Sequence, residues 1–250
     1  MTKTQKLYFS YDVVLYPLLI VMIMWVVFWI EIRFSVDFTS YGIHPGRLDG
    51  LRGVLFGPFI HGSLKHLFNN SIPMLVLGTA LFYFYRPVRW QVLLIGFIAT
   101  GFITWFIGRP ANHIGASGIV YLLASFLFFK GIISKQYQLT ALSFAVVFVY
   151  GSLLWYVFPL DPLISWEGHL SGFGVGVVLA FLMKKSTTVP TIKFDWERED
   201  YRPDNDPFMQ QFDAEGNFIE KQKIPEQENL NTTSNQDVGI VYTVTLKNKE

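Results

Sequence analysis

The 250-residue chain has no cysteine. A disulfide framework, a thiol nucleophile and thiolate metal sites are thereby excluded, while the redox compartment stays open. Charge is also scarce: Asp, Glu, Lys and Arg make up 16% of the residues, and the formal net charge is +1. Residues 1–185 hold 13 Lys/Arg against 6 Asp/Glu, whereas residues 186–250 hold 7 against 13, so +7 is cancelled by −6. The basic excess is scattered between apolar runs and forms no patch, which excludes a nucleic-acid binder. About 59% of the first 185 residues are hydrophobic, above the ~45–50% usual for soluble domains. An ordinary soluble enzyme and a disordered scaffold are excluded with it.

What the chain has instead is six apolar runs, at Val13–Ile30, Leu67–Tyr85, Val92–Ile107, Ala116–Phe129, Leu139–Phe158 and His169–Met183. At 1.5 Å per residue, roughly 14 to 20 residues approach or match a hydrocarbon core of about 30 Å. In lipid every backbone polar group must be satisfied within the segment, so runs of this kind are expected as helices. The first is followed by Glu31-Ile32-Arg33-Phe34, where a cleaved signal would carry small residues, and reads as a retained anchor. The expected fold class is an all-α membrane protein: a six-transmembrane-helix bundle over residues 13–185, preceded by a short N-terminus (1–12).

Lys3, Lys6, Arg86, Arg89, Lys130, Lys135, Lys184 and Lys185 all fall at one end of such a bundle. The opposite short connections carry only Arg109, although the long first loop (31–66) holds Arg33, Arg47, Arg52 and Lys65. This asymmetry predicts that both termini are cytoplasmic. The tail from Ser186 to Glu250 is acidic, polar and interrupted by four prolines. It is expected to be solvated and largely disordered, since its single strand-like stretch, Gly239–Leu246, cannot stand alone.

Polar groups inside a membrane are costly and therefore suggestive of function. His66 and Asn70 open the second run, Ser117 the fourth and His169 the sixth. With an inside N-terminus, all even-numbered runs start at the outer face, so topology brings these four to one depth. His66 and Asn70 are i,i+4 and share a helical face. Ser117 lies in Gly115-Ala116-Ser117-Gly118, where the first-turn amides and the helix dipole suit a developing oxyanion. His169, Gly172 and Gly176 (i, i+3, i+7) make a smooth face that permits close helix approach. A close approach is what an imidazole needs to reach a hydroxyl on another helix. Taken singly, a Gly-x-Ser-Gly and a Gly-x-x-x-Gly are ordinary packing motifs.

In combination, His61-x4-His66-x3-Asn70, Gly115-x-Ser117-Gly118-x-x-Tyr121 and His169-x-x-Gly172-x-x-x-Gly176 resemble the rhomboid family of intramembrane serine proteases. The resemblance covers about residues 10–185. It implies Ser117 as nucleophile and His169 as general base, with His66, Asn70 and the Ser117 N–H as oxyanion hole. It further implies that Tyr121 packs on the imidazole and that His61 supports structure or hydration. Transmembrane-helix proteins would be the substrates and a bacterial inner membrane the location, with the site toward the outer face. Two departures stand out: Leu51-Arg52 replaces a Trp-Arg pair, which puts the packing of the first loop in question, and Gly168 stands where Ala usually precedes the histidine.

No Asp or Glu lies within the later runs, and Glu167 is expected to face elsewhere, so a dyad is the economical reading, with ring orientation left to packing. No metal or cofactor is called for: there is no His-Glu-x-x-His, and no Gly-x-Gly-Asp partner for an aspartyl mechanism. An inactive client-binding relative would be expected to lack Ser117 or His169. A transporter would be expected to carry paired inverted repeats or an acidic relay. His44 and His113 are expected to be solvated loop residues.

Overall fold

The computed structural model of the protein describes residues 9–161, 164–183, 194, 196, 199–213 and 215–219. Its regular structure is helical, and among the described residues β-pairing is limited to two isolated bridges, Ile43–His113 and Phe212–Phe218. The helices are α1 (Asp12–Phe34), the single turn α2 (Gly53–Phe56), α3 (Leu64–Phe84), α4 (Arg89–Ile107), α5 (Ser117–Ile133), α6 (Tyr137–Tyr150) and α7 (Trp166–Leu182). By length and composition α1, α3 and α4 can each cross a membrane, while α5, α6 and α7 are shorter apolar helices. Large side chains such as Trp29, Phe106 and Phe148 point outward and are exposed, the pattern of a bundle whose solvent is lipid. This is an integral membrane protein.

Helix α5 is the axis of the bundle, with ten of its 17 residues buried. Its partner is α7, and the closeness has a cause in two glycines. A Cβ on Gly172 would lie 1.9 Å from the Gly118 carbonyl oxygen, and one on Gly176 would lie 2.0 Å from Ser125 Oγ. Any larger residue would drive the helices apart. Further from the axis, α1 packs on α3 where Gly78 faces Pro17, and Trp25 Nε1 donates to Ser71 Oγ at 3.0 Å.

Ion pairs and caps show which ends meet. Asp12, at the start of α1, pairs with Arg89, at the start of α4, at 2.6 Å. Lys130, in the last turn of α5, donates from Nζ to the carbonyls of Ala180 and Met183 and so closes the C-terminal end of α7. A cation at carbonyls left over at a helix C-terminus is favourably placed. Of the eight lysines and arginines behind the expected orientation, Arg86, Arg89, Lys130 and Lys135 are described; Lys3, Lys6, Lys184 and Lys185 lie outside the described residues.

Two expectations are corrected. The fifth run is not one helix: α6 ends at Tyr150 and the chain tightens into a 3₁₀ segment, Gly151–Val157. Helix α7 starts at Trp166, which brings Glu167 inside it, buried. Of the tail, residues 194, 196, 199–213 and 215–219 are described, and their contacts are local. There Asp213 Oδ1 accepts the N–H groups of Asn217 (2.7 Å) and Glu215 (3.0 Å), while Phe212 packs on Phe208 and Phe218. An Asx-type turn and an aromatic contact suffice for such local order without a core. The strand-like stretch Gly239–Leu246 lies outside the described residues. Contacts divide the chain into Met1–Ile192 and Lys193–Glu250.

Candidate active site

Ser117 is the first residue of α5, and the residue before it, Ala116, has no side chain with which to cap the helix. The opening amides of α5 are therefore left for another acceptor. Half-buried Ser117 faces α7, where the glycine contact brings His169 within reach. The His169 Nε2–Ser117 Oγ distance is 2.9 Å. On the far side of the ring, Nδ1 lies 2.9 Å from the carbonyl oxygen of Tyr156. A carbonyl only accepts, so Nδ1 carries the proton and Nε2 presents its lone pair to the serine hydroxyl. The Tyr121 ring stacks on the imidazole at 4.2 Å between centroids and 10° between planes. The orienting group is thus a main-chain carbonyl assisted by stacking, and Tyr156 is the member that the sequence did not reveal.

His66 and Asn70 sit in the first two turns of α3, which Ser63 caps by accepting the His66 N–H at 3.1 Å. Asn70 is buried, and its Nδ2 donates one hydrogen to the His66 carbonyl at 3.0 Å, leaving the amide its second. Both side chains converge on Gly115, where φ is +101° and a Cβ would lie 2.6 Å from His66 Nε2 and 3.6 Å from Asn70 Nδ2. Only glycine meets both demands, a left-handed backbone and no side chain. Gly118 serves closeness of a different kind: its Cβ would stand 3.1 Å from the Gly168 carbonyl. The residues proposed from sequence for oxyanion, nucleophile and base therefore lie around one point.

His61 lies beside this point, its ring 5.0 Å from that of His66. Nδ1 lies 3.3 Å from the Phe59 carbonyl, and Nε2 is buried without a protein partner. Burial, followed by the neighbouring His66, lowers its pKa to about 4. His44 is half-buried and its Nδ1 lies 2.9 Å from Asn112 Oδ1. His113, expected in solvent, is buried, held between Ser165 Oγ at 2.5 Å and the Arg109 carbonyl at 3.0 Å. Its pKa is lowered, chiefly by that burial. The cause is the first loop, which folds back so that Ile43 exchanges two main-chain hydrogen bonds with His113. Arg52 holds that fold from outside, donating to the Ser40 carbonyl at 3.0 Å and lying over the Tyr41 ring at 4.4 Å.

Behind Ser117 is a cavity of about 40 Å³, lined among others by Thr100, Thr104, Gly115, His113, Ser165 and Gly168. At about 10–15 Å³ per water it has room for roughly three or four. Thr100 Oγ1 is buried in its wall with no protein partner. Among the described residues no group of three or more His, Cys, Asp or Glu is placed to hold a metal ion.

The Rhomboid domain model matches residues 49–186, more than half of the chain and every residue of the site. The chain belongs to the rhomboid family. Rhomboid proteins are in general intramembrane serine proteases that act on transmembrane substrates within the bilayer. Uncharacterized proteins of Mycobacterium bovis and Mycobacterium tuberculosis are each 39% identical to this rhomboid over 153 residues, covering 57% of its length and 63% of theirs. An uncharacterized protein of Mycobacterium leprae is 35% identical over 162 residues, 60% of this chain and 62% of its own. The chain thus matches less than two thirds of each relative's length.

Proposed function

We propose that this rhomboid is an active intramembrane serine endopeptidase, with Ser117 as nucleophile and His169 as general base. The observation that carries the reading is the 2.9 Å contact between Ser117 Oγ and a His169 ring whose Nδ1 is already committed to Tyr156. A serine hydroxyl is a weak nucleophile until a positioned base takes its proton during attack. Here Ser117 Oγ adds to the scissile carbonyl carbon while its proton passes to His169 Nε2. The oxyanion forms within reach of the Ser117 N–H, the free Asn70 amide hydrogen and the His66 ring. As the C–N bond breaks, Nε2 returns the proton to the leaving amine. Water, for which the cavity behind Ser117 has room, then attacks the acyl carbon and gives its proton to Nε2, which passes it to Ser117 Oγ as the ester C–O bond breaks and the carboxylic acid product leaves.

In this reading all six long helices span the bilayer, both termini are cytoplasmic, and the tail beyond residue 185 is an appendage outside the six-helix protease domain. The substrate is a single-span membrane protein cut near its outer boundary. Three supports converge: the alternation of helix direction, the basic residues at the far end, and the exposed apolar faces. Purified protein in proteoliposomes should cleave a single-span reporter at one position. Ser117→Ala and His169→Ala should each abolish cleavage while the thermal midpoint stays within a few degrees. Cleavage by both variants at the wild-type rate would end the proposal.

A further inference from the structure

Above the dyad lies a polar cluster that the chemistry does not use. Arg109 and His113 belong to the connection between α4 and α5; Ile164, Ser165 and Glu167 belong to the entry into α7. Glu167 is 1% exposed, and its Oε1 accepts the Arg109 N–H at 3.2 Å and lies 3.5 Å from Arg109 Nη1. Arg109 Nη2 donates to the Ile164 carbonyl at 2.8 Å, and the Ser165 hydroxyl meets His113 Nδ1 at 2.5 Å. The cluster is in register with the dyad. His113 stands four residues before Ser117, and Ser165 stands four before His169, which itself follows Glu167 by two.

A buried carboxylate so close to a catalytic histidine suggests a third catalytic member, but the geometry excludes it. Both ring nitrogens of His169 are taken, by Ser117 and by Tyr156. Nor does stability account for the pair, because the Arg109 side chain is 36% exposed and ion pairs screened by solvent contribute only about 0–1 kcal/mol. What the pair supplies is a directional tie between the turn before α5 and the entry into α7, added to the glycine packing that sets how close the two helices come.

We propose that Glu167 and Arg109 are positioning residues: the hydrogen bond from the Arg109 N–H to buried Glu167, with their ion pair and the His113–Ser165 hydrogen bond, sets α7 against the turn before α5 and so fixes the Ser117–His169 separation. The proposal rests on Ser117 and His169 being the dyad. Misplacing reacting groups by about 1 Å can cost on the order of 100-fold in rate. Loss of the tie should therefore appear in turnover and not in substrate binding.

The test compares Glu167→Ala with Glu167→Gln, whose amide oxygen still accepts the Arg109 N–H. Glu167→Ala should lower kcat about 10- to 100-fold with KM within twofold, and slow fluorophosphonate reaction at Ser117 by a similar factor. Glu167→Gln should recover most of both. Equal kcat in all three proteins overturns the proposal, as does a parallel decline of kcat, binding and thermal midpoint that Gln does not rescue. Wild-type protein inert to the probe would instead refute the dyad. A separate readout is the imidazole ¹⁵N spectrum of His169, assigned by its loss in His169→Ala. The His169 resonances should shift in Glu167→Ala, and an unchanged spectrum also overturns the positioning role.

Discussion

Gly172→Ala adds one methyl group where the structure has least room for it. The new Cβ would stand 1.9 Å from the Gly118 carbonyl oxygen, 2.8 Å from its carbon and 3.2 Å from the Leu122 nitrogen. All three are main-chain atoms of α5, so no side-chain rotation can give way. Reaching ordinary contact at 3.4 Å requires α7 to move away by about 1.5 Å. His169 is less than one turn earlier on the same helix and moves with it, which lengthens the 2.9 Å bond to Ser117 beyond hydrogen-bonding range. Overpacking costs about 1–3 kcal/mol of stability, whereas the misplacement costs on the order of 100-fold in rate. Activity should therefore fall much further than stability. Gly174→Ala is the control, because no atom lies within 4 Å of its Cβ and Ala is the better helix former by about 1 kcal/mol. The assay is kcat/KM on a transmembrane reporter beside thermal unfolding in the same detergent. Gly172→Ala within threefold of wild type would refute the reasoning from helix closeness to dyad geometry.

Asn70→Ala removes one oxyanion donor and should lower kcat by about 100- to 1,000-fold, less than Ser117→Ala, in the same reporter assay. His61 makes stability depend on pH. Its pKa is about 4 in the fold against 6.5 when unperturbed, so the unfolded chain takes up the proton first as pH falls. Its contribution is complete above about pH 6.5 and is lost progressively toward pH 4. The lowered pKa of His113 acts with the same sign. The thermal midpoint should fall over that window, and His61→Gln should flatten the fall. Chelators should leave cleavage unchanged, a result read directly by adding EDTA to the reporter assay.

The alternation of six apolar runs located the long helices and carried Ser117, His169, His66 and Asn70 to one end, because lipid leaves the chain few alternatives to a helix that crosses. Gly172 and Gly176 were legible as a smooth face for the same reason: helix packing follows side-chain size at fixed spacing. Main-chain roles were not legible. The carbonyl that holds His169 belongs to Tyr156, in a segment whose apolar composition reads as unbroken helix through Phe158, and any residue type supplies a carbonyl. His113 reads as a solvated loop residue because its burial comes from Ile43, 70 positions away. Glu167 looks incidental in sequence because its partner, Arg109, precedes it by 58 residues. The one local hint was spacing, with polar residues four positions ahead of both Ser117 and His169.

The central claim is that Ser117 is made nucleophilic by His169. It is tested most directly by treating purified protein with a fluorophosphonate and locating the adduct by peptide mass spectrometry. The expected result is one adduct, on Ser117, absent in Ser117→Ala and formed far more slowly in His169→Ala. An adduct at another residue, or reporter cleavage that survives in Ser117→Ala, would contradict it.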